Sequence, residues 1–129
     1  MRPKGLVVLL LLVPLLAPAG QVAIRFAEFV KQGHAWSVNV TLQHADSGWD
    51  HYADGWRIVT ADGRELGRRT LYHPHVNEQP FTRSLGGVII PDTVQTVYVE
   101  AHDKVHGWSP QRLKVDLEQA QGARYRVRR

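Results

Sequence analysis

From Trp36 to Gln43 apolar and polar residues alternate one for one: Trp36, Val38, Val40 and Leu42 share a face, and Ser37, Asn39, Thr41 and Gln43 share the other. A period of two is the pattern of a strand with one buried and one wet side. The same period recurs where Val97, Val99 and Ala101 alternate with Tyr98, Glu100 and His102, and where Leu113, Val115 and Leu117 alternate with Lys114 and Asp116. Trp56–Thr60 and Glu65–Tyr72 flank Asp62-Gly63, a pair that predicts a hairpin because glycine accepts the positive φ of a tight turn. Phe81–Leu85 reads as a further strand, closed by Gly86-Gly87 and followed by a turn at Pro91-Asp92. Val22–Val30 fits two patterns, a strand through Val22, Ile24 and Phe26 or a helical stripe through Val22, Phe26, Phe29 and Val30; the strand is favoured. The sum is about seven short strands with no long helix, which predicts an all-β chain folded as a single antiparallel β-sandwich.

The first residues break this pattern. Arg2 and Lys4 precede an apolar run from Leu6 to Leu16, and Ala17-Pro18-Ala19 follows. That order of basic, apolar and small residues is a secretory signal, with cleavage expected after Ala19. Pro14 interrupts the run, which falls short of the about 20 residues of a membrane span, so no stable membrane insertion is expected once it is cut. The expected organisation is signal peptide 1–19, sandwich domain 20–120 and basic tail 121–129, in a periplasmic or secreted protein. With no cysteine in the chain, neither a lipid-modified N-terminus nor a disulfide framework is expected.

Charge changes the picture little. Of 16 Lys and Arg, two lie in the signal and Arg124, Arg126, Arg128 and Arg129 lie in the tail, which leaves ten against 12 Asp and Glu. The basic balance therefore belongs to the two ends, and a nucleic-acid-binding face is not predicted. The tail itself reads as a solvated end.

The segments Leu85-Gly86-Gly87-Val88-Ile89-Ile90-Pro91, Val97-Tyr98-Val99-Glu100-Ala101 and Gly107-Trp108-Ser109-Pro110, with Gly55-Trp56-Arg57-Ile58-Val59, resemble the closing strands and the third strand of a fibronectin type III domain. The resemblance implies an immunoglobulin-like sandwich and no particular activity. It has one departure: aligned on Ala101, the corner tyrosine of that family falls at Gln95, and Tyr98 is out of phase. The stretch His44–Leu85 also resembles segments of small exported bacterial proteins, which implies a compartment and no chemistry.

If the strands run up and down in turn, the connections after the second, fourth and sixth strands meet at one end. Six of the seven histidines fall in those connections: His44 and His51, then His73 and His75, then His102 and His106. Trp49, Asp50, Tyr52, Glu78, Asp103 and Trp108 accompany them. Converging imidazoles are the usual nitrogen donors for zinc, copper(II) and nickel, with Asp50, Glu78 or Asp103 as carboxylate ligand or acceptor. His73-Pro74-His75 is the most compact pair, whereas the acids of the first connection, Asp46, Asp50 and Asp54, also read as turn formers. Three classes follow. The first is a non-catalytic exported binding protein whose His, Asp and aromatic loops take a protein or other ligand, and the second is a divalent-metal-binding protein. The third is a small enzyme using the same end, for which no G-x-S-x-G, H-E-x-x-H or phosphate-cradling loop is present.

Overall fold

The computed structural model describes residues 20–129; the expected signal segment, 1–19, lies outside the described residues. Ten strands make up the described chain: β1 Ala23–Gln32, β2 Ala35–Gln43, β3 Ala53–Thr60, β4 Glu65–Thr70, β5 Phe81–Val88, β6 Thr96–Asp103, β7 Gly107–Trp108, β8 Leu113–Asp116, β9 Gln121–Gly122 and β10 Tyr125–Arg128. No helix occurs among the described residues. The strands form two sheets that do not close into a barrel. One has the order β5-β2-β1-β10-β9; the other has β4-β3-β6-β7, with β8 paired to β6 beyond β7.

The alternation in β2 is realised residue by residue: Trp36, Val38, Val40 and Leu42 are buried and their neighbours are not. Their partners across the core are Trp56 and Ile58 of β3, Val97, Val99 and Ala101 of β6, and Leu113 and Val115 of β8. Each Val, Leu or Ile among them contributes about 1.5–3 kcal/mol on burial, and without disulfides this apolar layer is what holds the sheets together. The Asp62-Gly63 hairpin forms as expected, with Gly63 at φ 88° and its N–H donating to the Thr60 carbonyl at 2.9 Å. On β4, Gly67 leaves room for Leu85 and Val88 of the opposite sheet; a Cβ there would lie 3.0 Å from the Leu85 side chain.

Two segments differ from the sequence reading. Val22–Val30 resolves to strand, as favoured, but with a register shift between Ile24 and Phe26 that turns Phe26 outward. The basic end is a strand, not a solvated tail: β10 pairs in parallel with β1, Ala27 opposite Tyr125 and Phe29 opposite Val127, and both Tyr125 and Val127 enter the core. Arg124 turns the chain into it at φ 64° and donates from Nη1 to the Ile24 carbonyl at 2.6 Å.

The up-and-down course delivers the 44–52, 71–80 and 104–106 connections, together with Gly20 at the start of the described chain, to one end of the sandwich.

Candidate metal centre

The first connection folds back on itself. Ser47 N–H donates to the His51 carbonyl at 3.0 Å and His51 N–H to the Gly48 carbonyl at 3.2 Å, a turn that stacks His51 edge-on against His44 with ring centroids 4.8 Å apart. At the far end of β6 the buried Asp103 caps the next turn by accepting from the backbone N–H of Val105 and His106 at 2.9 and 2.8 Å. These bonds hold the His106 ring beside the same carboxylate, with Nδ1 at 3.0 Å from Oδ1. Burial would raise the Asp103 pKa, but the two backbone bonds and the His106 ring outweigh it and hold the carboxyl below its ordinary value.

The arrangement thereby gathers His44, His51 and Asp103, whose ligand atoms lie within 4.8 Å of one another. The Gly20 carbonyl oxygen sits among them, 2.8 Å from His44 Nε2 and 3.2 Å from His51 Nε2, and His51 Nε2 is 3.2 Å from Asp103 Oδ1. Atoms held about 2 Å from one ion lie roughly 2.8–3.3 Å apart, from right-angled to tetrahedral arrangements. These three separations fall in that range, while the His44, His51 and Asp103 ligand atoms, up to 4.8 Å apart, would have to draw in around an ion.

His44 is the most constrained member. Its side chain is fully buried, Nδ1 lies 2.5 Å from Asp46 Oδ1, and Nε2 faces the Gly20 carbonyl. A neutral imidazole has one N–H, so it can satisfy only one of two acceptors. One of the two contacts therefore needs something besides that single N–H, such as a second ring proton or a metal ion on Nε2. Asp46 stands on the far nitrogen of this ring, the place a carboxylate takes behind histidines that bind metals. Asp46 is also a structural hub: Oδ1 accepts from Ala53 N–H at 3.0 Å and Oδ2 from His75 N–H at 2.8 Å, so three segments meet on one buried side chain.

The other histidines stand apart from this group. His75 is buried, stacks on Phe81 at 4.1 Å, and its Nε2 accepts from Arg83 Nη2 at 2.8 Å. Burial, with the Arg83 charge, lowers its pKa below the usual histidine value. His73 packs on His75 with ring centroids 4.6 Å apart and is exposed. His102 pairs with Asp54 at 2.5 Å and meets Trp108 edge-on, while the Arg57 guanidinium covers the Trp108 ring at 3.7 Å. Of the remaining predicted residues, Tyr52 is buried beneath the exposed Trp49, Asp50 is exposed, and Glu78 pairs with Arg83 at 3.5 Å. Trp49, Tyr72, Val76 and Val105 all project from these connections.

Sequence reasoning read Asp46 only as a turn former and passed over Gly20 and Arg83. Asp46 carries a faint signal, a carboxylate two residues from a histidine, but that spacing also suits a turn. Gly20 carries none.

Among curated proteins the chain is similar to a Halomicrobium mukohataei protein bearing the name "Putative lipoprotein", with 44% identity over 86 residues. The match covers 67% of this chain and 42% of that relative, so the chain spans less than half the relative's length. No family model and no solved structure matches.

Proposed function

We propose that this protein is an exported, non-catalytic binding domain that holds one divalent transition-metal ion at its histidine-rich end. The ligands are His44 Nε2, His51 Nε2 and an Asp103 carboxylate oxygen, with the Gly20 carbonyl at the same point. The observation that carries the reading is the buried His44 ring, which has an oxygen acceptor on each nitrogen. Imidazole and carboxylate without sulfur suit zinc, copper(II) or nickel. The strand order also supports the finer fold reading. With β1, β2 and β5 in one sheet and β4, β3, β6 and β8 in the other, the order matches the fibronectin type III arrangement, with β10 added beside β1. Export rests on the signal pattern of residues 1–19, in keeping with the name of the relative.

The test is a calorimetric titration of the exported protein with Zn(II), Cu(II) and Ni(II). One equivalent should bind, with a rise in Tm, and H44A or H51A should abolish it while H73A leaves it intact. Failure of all three ions to bind, or loss of binding in H73A alone, overturns the reading.

A further inference from the structure

Gly20 occupies an unusual place. Its backbone has φ 85°, and a methyl group on its Cα would fall 2.8 Å from His106 Cε1, 3.4 Å from His106 Nε2 and 3.6 Å from His51 Cε1. Only glycine fits there without displacing His106. The backbone carbonyl that faces two imidazole nitrogens thus belongs to the residue directly after Ala17-Pro18-Ala19, where cleavage is expected.

We propose that signal cleavage completes the metal centre, the α-amine released on Gly20 becoming a ligand beside its own carbonyl oxygen. This rests on the metal reading above. In the uncut chain the Gly20 nitrogen is an amide, its lone pair delocalised into the Ala19 carbonyl, and while it keeps its proton it is no donor to a metal. An export peptidase adds water across the Ala19–Gly20 bond: the C–N bond breaks, Ala19 leaves with a carboxylate, and Gly20 keeps the nitrogen as an amine. That amine sheds its extra proton to solvent when a metal ion takes its lone pair. Metal, nitrogen, Cα, carbonyl carbon and oxygen then close a five-membered ring. The ring needs nitrogen and carbonyl oxygen on the same side of the Gly20 Cα–C bond, and after cleavage no preceding residue resists that rotation. The centre thus gains its full donor set only in the exported form: two imidazoles, a carboxylate, and the amine and carbonyl of residue 20.

Three forms decide the matter: the exported protein, its first residue fixed by mass spectrometry; the same protein acetylated at its α-amine; and a chain that begins at Ala19. Cu(II) affinity is measured by competition with a chelator, and coordinated nitrogens are counted from electron paramagnetic resonance couplings. The form beginning at Gly20 should bind Cu(II) at least about tenfold more tightly than the other two and show one more coordinated nitrogen, as a ligand held in place by its own chain adds avidity. Equal affinity and equal nitrogen counts in the three forms, or an exported protein that starts elsewhere than Gly20, overturns the amine as ligand and leaves the His44, His51 and Asp103 site standing. Absence of Cu(II) binding in every form removes both.

Discussion

Two groups of histidines at one end of the molecule hang on the same carboxylate yet face opposite charges. His44 leans on Asp46 Oδ1 and turns its other nitrogen to a carbonyl oxygen; His75 takes Asp46 Oδ2 on its backbone and turns Nε2 to the Arg83 guanidinium. The first environment offers oxygen to both ring nitrogens, whereas the second sets a guanidinium against the ring and disfavours a positive charge on it. Identity of residue type thus says little about role. What decides is whether oxygen or guanidinium occupies the far side of the ring.

Removing the shared carboxylate should break the comparison most severely. D46A strands the Ala53 and His75 N–H groups and the His44 ring in a buried site, and a loss of about 3 kcal/mol or more is expected from urea unfolding. The gentler D46N should keep the fold and separate the two groups: metal affinity should drop about 10–100-fold, the effect of losing a carboxylate behind a ligating histidine, while the His75–Phe81 stack persists.

The His75 side sharpens the contrast through pH. Its folded pKa lies below the unfolded value of about 6.5, so the unfolded chain binds more protons in that interval. The associated stability is present above the unfolded pKa and is lost as pH falls from there toward the folded pKa. H75F should therefore flatten the decline of unfolding free energy measured between about pH 7 and 5 relative to the native sequence. The smallest effect is expected at the exposed His73, where H73A should change stability by no more than about 0.5 kcal/mol.

Much of this was legible beforehand, for identifiable reasons. Strands β2, β6 and β8 announce themselves because one sheet face is wet, so burial imprints a period of two. Loop parity then brings His44, His51 and His106 to one end, since it depends only on strand count. By contrast β10 offers two apolar residues, Tyr125 and Val127, set among arginines, and charge masked the alternation. Nor does local sequence encode a parallel partner about 100 positions away. The division of the histidines between oxygen and Arg83 was equally hidden: Arg83 sits on β5, and its reach back to His75 depends on side-chain packing between connections.

The parallel strand at the C-terminus carries a further consequence. With β10 in place, the flank of β1 is occupied and the sheet finishes in β9, two residues long and closed by Gly122. So short a border gives a neighbouring molecule almost nothing to hydrogen-bond. A chain cut back to residue 120 would instead bare the length of β1 beside Phe26, and the expected fate of such a fragment is strand-to-strand self-association, visible as higher-order species in analytical ultracentrifugation. On that side of the sheet, the expected role of the arginine-rich ending is to keep strand pairing within the molecule.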